Sequence, residues 1–284
     1  KEHKNLDYYL VVSGAHLEKA YGKTINEIKK EQLEIKYQLK IEIVGEDLFS
    51  TTKVIGESIV KLTKLIKSIK PDMFLVYGDR FETFAAAIAS SQTNTVTCHV
   101  EGGDITQGGA MDDSIRHAIS KLCHVHFVGS KKAKKRVAKM GEIKKNIFQI
   151  GSPDIDVIAN KNLPKIFNVK KRYNFKFKDY AILLWHPVTS KIDTLKEDTK
   201  KILKFIKKLN QNFLIIYPNN DPGSNLIIDC YKKIKNKKFK ILKNMRFEYF
   251  LSVLENAKFI IGNSSSAIYE APMLSTPAIN IGDR

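Results

Sequence analysis

Apolar positions along the chain alternate between two rhythms. Short β-branched runs at residues 8–13 (YYLVVS), 39–44, 73–77 (MFLVY), 96–100, 124–128 and 147–150 read as strands. Between them lie stretches with helical spacing. In 52–67 the apolar positions are Val54, Ile55, Ile59, Leu62, Leu65 and Ile66, while 81–91, 114–122 and 131–139 carry further helices. After a Lys/Asn-rich stretch at 160–178, read as a linker with a small helical element, the pattern restarts. Strands are expected at 181–185, 213–217, 239–242 and 259–261, and helices at 194–209, 224–234, 247–256 and near 267–273. Strands alternating with helices of this length imply βαβ units and parallel sheets. The expected fold is α/β, with two doubly wound Rossmann-like domains at 1–158 and 159–284.

Ligands of such domains sit beyond the carboxyl ends of the strands, and polar residues gather there. Residues 73–77 run into Gly78-Asp79-Arg80, and 96–100 into Glu101-Gly102-Gly103-Asp104. The second half repeats this with His186-Pro187, Pro218-Asn219-Asn220-Asp221 and Gly262-Asn263-Ser264-Ser265-Ser266. Asp79 suits either a helix N-cap or a reacting carboxylate, and Glu101 either a polar turn or a ligand contact. Asp112 and Asp113 open a helix, where two adjacent acids exceed what capping needs. Arg116, one turn on, is placed for a carboxylate or phosphate fork. If Asp79, Glu101 and Asp112 converge, they raise one another's proton affinity, which suits general acid/base work. His186 ends a strand and is read as a ligand contact. The Gly262–Ser266 run followed by a helix suits an anion, with Glu270 as an acceptor for a ribose diol and Arg246 and Arg284 as cations.

Composition narrows the classes. The chain has 284 residues, three scattered cysteines and a net charge of +18. Of its 48 basic residues only six are arginine, and four of those (Arg80, Arg116, Arg246, Arg284) lie in or beside these motifs. The lysines are strewn along the chain, as in Lys131-Lys132-Ala133-Lys134-Lys135, and read as solvated helix faces without a nucleic-acid motif. Such a field still draws in an anionic substrate. Cysteines in odd number without CxxC spacing point to a reducing compartment rather than a disulfide framework. His99, His124 and His126 are read as structural, and no metal-site spacing accompanies them. No apolar run approaches the roughly 20 residues of a bilayer span, and residues 1–5 show no signal-peptide core. The expected location is the cytoplasm, with no membrane and no nucleic acid as partner.

The stretches VYGDRFE (76–82), HVEGGD (99–104), MDDSIRHAISKLCHVHF (111–127), IGSPDID (150–156), WHPVT (185–189), IYPNND (216–221), RFEYFL (246–251) and GNSSSAIYEAP (262–272) resemble, in order, the UDP-N-acetylglucosamine 2-epimerase family. The EGGD…DDSIRH form is similar to its hydrolysing, sialic-acid-pathway branch. The resemblance implies a glycosyltransferase-B-like fold with the active site between domains. It implies Asp79, Glu101 and Asp112 as catalytic carboxylates. Arg80, Asp113, Arg116, His186, Asn219, Arg246, Ser264, Ser265, Glu270 and Arg284 are the expected substrate contacts. The implied reaction removes the C2 proton of a UDP-sugar, expels UDP and hydrates the resulting 2-acetamidoglucal to N-acetylmannosamine. The alternatives are a hydrolysing 2-epimerase of UDP- or GDP-linked N,N′-diacetylbacillosamine and a non-hydrolysing epimerase. The resemblance demands neither NAD nor a metal, suggests a homodimer or homotetramer, and implies further family segments beyond both ends of the chain.

Overall fold

Among the described residues of the computed structural model (5–19, 23–41, 48–105, 111–160, 162–188, 191–219 and 221–282), every strand pairing is parallel. The first half runs β1 (Leu10–Ser13), α1 (Ile25–Lys30), β2 (Ile35–Leu39), α2 (Leu48–Ile69), β3 (Met73–Tyr77), α3 (Phe81–Gln92) and β4 (Val96–Val100). It continues with α4 (Met111–Leu122), β5 (Val125–Val128), α5 (Lys131–Lys139) and β6 (Ile147–Gln149). Then come α6 (Pro153–Ala159), α7 (Ile166–Tyr173), β7 (Ala181–Leu184), α8 (Ile192–Lys208), β8 (Phe213–Ile216) and α9 (Ser224–Lys232). The chain closes with β9 (Phe239–Leu242), α10 (Phe247–Glu255), β10 (Ile260–Gly262), α11 (Glu270–Met273) and β11 (Ala278–Asn280). The sheets are β1-β2, β3-β4-β5-β6 and β11-β10-β7-β8-β9.

The five-stranded sheet shows how the apolar pattern builds a core. Strands β7 (AILL) and β8 (FLII) are buried at every position, as expected of a parallel sheet covered on both faces. The two-residue strand period then splits them. Ile182, Leu184, Leu214, Ile216 and Ile260 pack with Val169 of α7 and Leu251 and Leu254 of α10. Ala181, Leu183, Phe213, Ile215 and Ile261 face Ile202, Leu203 and Ile206 of α8 and Ile227 and Tyr231 of α9. In the first half, small Ala85 and Ala89 of α3 let α2 come close, and Leu62 and Ile66 fill the contact.

The structure departs from the sequence reading in four places. The strand expected at 39–44 lies at Ile35–Leu39, pairing with β1, and 42–47 fall outside the described residues. The apolar run MFLVY is not buried throughout. β3 ends its sheet, and Met73, Leu75 and Tyr77 on one face are 52%, 58% and 43% exposed. α1, α6 and β11 were not anticipated. Each is short, and Pro153 opens α6 at a position where a missing N–H costs nothing. Finally, the helix expected near 267–273 is a 3-10 turn at Ser265–Ala267 followed by the four-residue α11. So short an element has little macrodipole, and anion binding there rests on individual N–H and hydroxyl groups.

Candidate active site

The end of β4 is held by a buried histidine. Tyr77 of β3 lies in register with Val100 of β4. His99 Nε2 is 2.9 Å from the Gly78 carbonyl and Nδ1 is 3.0 Å from Ser120 Oγ. A carbonyl only accepts, so Nε2 carries the hydrogen and the Ser120 hydroxyl donates to Nδ1. Burial pushes the His99 pKa down to about 4, against the Gly78 bond, so the ring is neutral. A Cβ on Gly102 would lie 2.8 Å from His99 Nδ1 and 2.9 Å from Ser120 Oγ, which excludes a side chain there. Glu101, just before it, has φ +66°, in the left-handed region that non-glycine residues rarely occupy and that often marks function. Its N–H donates to the Phe127 carbonyl at 2.8 Å.

Around Glu101 the acids and one arginine assemble. Asp79 is ion-paired to Arg116, whose Nη1 also donates to Asp113 (3.2 Å) and to the Asp104 carbonyl (3.0 Å). Burial raises the Glu101 pKa. The nearby Tyr77 hydroxyl opposes this, Asp154 and Asp104 add to it, and Arg116 opposes it. The Tyr77 phenol is itself raised, first by burial and then by Glu101. Asp154, in the first turn of α6, and Asp104 are also raised, chiefly by burial. Among the described residues, Asp154 and Asp104 are the acids that push on Glu101. The side chain of Asp112 lies outside the described residues.

The second half contributes a quieter surface. Asn263 clamps the ends of β7 and β10: its Oδ1 accepts from the His186 N–H at 2.7 Å and its Nδ2 donates to the His186 carbonyl at 2.9 Å. The Asn219 N–H donates to His186 Nδ1 at 3.1 Å. At Gly262 (φ +147°) a Cβ would fall 1.7 Å from the Leu184 carbonyl oxygen, so only glycine lets the strands meet. Ser264 is buried and accepts from the Ser266 N–H at 3.3 Å, while Ser265 is exposed. Glu270 is 7% exposed, its pKa is raised mainly by burial, and its Oε2 has no hydrogen-bond partner among the described residues. A buried acceptor left unsatisfied calls for a donor from a ligand.

The two halves touch at this place. Arg80 Nη1 lies 2.5 Å from Asp221 Oδ1. Tyr269, just before α11, has its pKa raised by burial and then by Asp104 across the junction, and Asp154 acts on both Glu101 and Glu270. Arg246 is engaged with Glu248 (2.9 Å) and with Glu31, and stacks 5.8 Å from the Tyr249 ring. Arg284 lies outside the described residues. Sequence reasoning passed over Tyr77, Asp154 and Asn263 as site residues. All three stand inside stretches it had singled out, but their partners come from other elements, and no spacing announces them.

Two sets of parallel α/β layers that meet over acids at the strand ends form a glycosyltransferase-B-like fold. Residues 1–284 match the family described as UDP-N-acetylglucosamine 2-epimerase, and the chain belongs to that family. It is 39% identical over 284 residues to a UDP-N-acetylglucosamine 2-epimerase of Neisseria meningitidis, covering all of this chain and 74% of that protein. It is 34% identical to a hydrolysing UDP-N,N′-diacetylbacillosamine 2-epimerase of Legionella pneumophila, covering 99% of this chain and 74% of the relative. Among solved structures, the Methanocaldococcus jannaschii UDP-GlcNAc 2-epimerase in complex with UDP-GlcNAc and UDP superposes with a TM-score of 0.80 at 22% identity, covering 99% of this chain and 77% of that one.

Proposed function

We propose that this protein is a hydrolysing 2-epimerase of a UDP-linked 2-acetamido sugar, with UDP-N-acetylglucosamine as first substrate and N-acetylmannosamine and UDP as products. The observation that carries the reading is Glu101, a carboxyl in a strained backbone whose proton affinity is raised by burial and by two neighbouring acids. Such a group operates nearer neutral pH than an ordinary carboxylate, which general acid/base catalysis requires. In the reaction a carboxylate takes the C2 proton and the C1–O bond breaks, its electron pair leaving with UDP. The C1=C2 bond of the 2-acetamidoglucal then adds water, a proton returning to C2 from the opposite face and hydroxide to C1. Asp79, Glu101 and Asp112 share the proton transfers in this reading. Arg80, Asp113, Arg116, Asn219 and Arg284 frame the sugar and phosphates, Arg246 supports that side, His186, Ser264 and Ser265 meet the uridine diphosphate, and Glu270 takes the ribose diol. The unpartnered Glu270 oxygen supports the last assignment. Domains divided near 158/159 and a cytoplasmic location belong to the same proposal. Three buried, unpaired cysteines and the absence of any described helix long and apolar enough to cross a membrane are compatible with that location.

The Legionella relative favours a second substrate, the diacetylbacillosamine analogue, which differs only in the sugar. NMR of the full-length protein with UDP-N-acetylglucosamine in D2O tests the reading. Free N-acetylmannosamine deuterated at C2, with released UDP, is the expected result. UDP-linked N-acetylmannosamine as product overturns the hydrolytic step. Bound UDP without turnover moves the reading to the bacillosamine substrate.

A further inference from the structure

The segments that carry the candidate acids and their arginine are joined beneath the site by one fully buried pair, His99 and Ser120. The His99 ring donates from Nε2 to the Gly78 carbonyl at 2.9 Å, one residue before Asp79. Its Nδ1 lies 3.0 Å from the hydroxyl of Ser120, which stands one helical turn beyond Arg116 on α4. Arg116 in turn is ion-paired to Asp79. These contacts close a ring that runs from Asp79 to Arg116, along α4 to Ser120, through His99 to Gly78 and back to Asp79. Gly102, the neighbour of Glu101, rests on the same pair. A Cβ there would lie 2.8 Å from His99 Nδ1 and 2.9 Å from the Ser120 oxygen. The Ser120 hydroxyl has one hydrogen and two acceptors in reach, His99 Nδ1 and the Arg116 carbonyl at 3.1 Å. That carbonyl is already served by the helical N–H four residues on. With the ring hydrogen on Nε2, Nδ1 is an acceptor, and among the described residues Ser120 alone donates to it.

We propose that Ser120, acting through His99, is a positioning residue that holds the Asp79 loop, the Glu101 turn and Arg116 at fixed mutual distances. This rests on the roles proposed for Asp79 and Glu101. Stability alone does not call for such a pair, because a buried hydrogen bond exchanged for apolar groups of the same shape costs little. A fully satisfied buried polar pair instead fixes one arrangement. Reacting groups need that fixing, since a misplacement of about 1 Å can cost ~10²-fold in rate. The same strand supplies a comparison. Two residues before His99, Thr97 donates to Ser90 of α3 at 2.9 Å, and both are fully buried. Ser90 bonds onward only to Ala86 and Ala87 within its own helix, so that pair reaches no strand-end motif.

The test uses the full-length protein with Ser120→Ala and Ser90→Ala, each removing a hydroxyl that binds a buried side chain of β4. Both variants should melt lower by about 2–4 °C. Only Ser120→Ala should lose turnover: kcat is expected to fall roughly tenfold, with KM for the UDP-sugar and UDP affinity essentially unchanged. In an Asp79→Asn background Ser120→Ala costs no further turnover. A wild-type kcat in Ser120→Ala, or an equal loss in Ser90→Ala, overturns the proposal. Two measurements need no substrate. In 15N-labelled wild type, His99 should carry its ring hydrogen on Nε2, and a hydrogen on Nδ1 overturns the relay even where Ser120→Ala does not fold. In the folded variants, the backbone amide resonances of Asp79 and Glu101 should move in Ser120→Ala and stay in place in Ser90→Ala. That result supports the tie even if the wild type turns over no UDP-sugar, the outcome that would sink the reading of function alone. Unmoved Asp79 and Glu101 amides in Ser120→Ala sink the positioning role whatever the substrate.

Discussion

The loop after β4 and the loop after β10 begin from the same demand and answer it differently. Both leave the carboxyl end of a parallel strand, and both need glycine because a neighbour stands where a Cβ would go: His99 and Ser120 at Gly102, the Leu184 carbonyl at Gly262. After β4 the chain spends this room on charge. Glu101 takes a left-handed backbone and Asp104 follows, with Arg116 and Asp79 facing them. After β10 it spends the room on neutral groups, an asparagine clamp on His186 and then hydroxyls. Proton transfer needs a group whose charge changes easily, which costs burial energy and strain. Holding a pyrophosphate and a ribose needs preset donors and acceptors that do not change. One loop is therefore read as chemistry and the other as grip.

The sharpest way to break this division is at the acids. Glu101→Gln or Asp79→Asn is expected to lower kcat by ~10²- to 10⁴-fold, the range of general acid/base groups, with UDP affinity by calorimetry largely kept. A variant with normal turnover removes that residue from the chemistry. On the other loop, Gly262→Ala should unfold the strand junction. A Cβ against a backbone carbonyl cannot be relieved by a rotamer change, and a loss of about 3 kcal/mol or more is expected in urea unfolding. Wild-type stability would show that β7 and β10 do not approach as described. Next in size, Glu270→Ala should weaken UDP roughly ten- to hundredfold and Ser265→Ala roughly fivefold, each with little change in the rate of bound substrate. A fall in kcat at constant affinity would erase the contrast between the loops.

The smallest expected effect joins the two regions. Glu101 and Glu270 both have pKa values raised in the fold, first by burial. A raised carboxyl binds its proton more tightly folded than unfolded. The stability it contributes is therefore full below the unfolded value, about 4.3, and is lost as pH rises through the folded value. Thermal melts in that window should show Glu101→Gln and Glu270→Gln each flattening the decline; parallel curves for wild type and variants would mean that neither group is buried as charge.

Much of the fold was legible. β3, β4, α5 and β9 fall where apolar period and strand length put them. The lysines of α5 lie exposed around buried Ala133 and Val137, as a solvated face should. The less legible elements were short or marginal. Of 39–44, Leu39 pairs with β1 as the last residue of β2, and 42–44 lie outside the described residues. MFLVY looks buried by composition, yet its exposure depends on which strands flank β3. Of the candidate residues, Asp79, Glu101 and His186 were visible because polar residues just after a strand are conspicuous, and Arg116 and Glu270 because they sit in helices that follow such motifs.

Residue order determined the α/β alternation, the parallel sheets, the strand-end motifs and the family, since each follows from local period or from motifs read along the chain. Tertiary structure decided which groups meet. Tyr77 comes beside the end of β4 only because β3 and β4 pair in one register, Asp154 acts on Glu270 only because α6 packs beside α11, and Arg80 finds Asp221 only where the halves touch. Hydrogen bonds and desolvation act over a few ångströms in space, and separation along the chain says nothing about that distance.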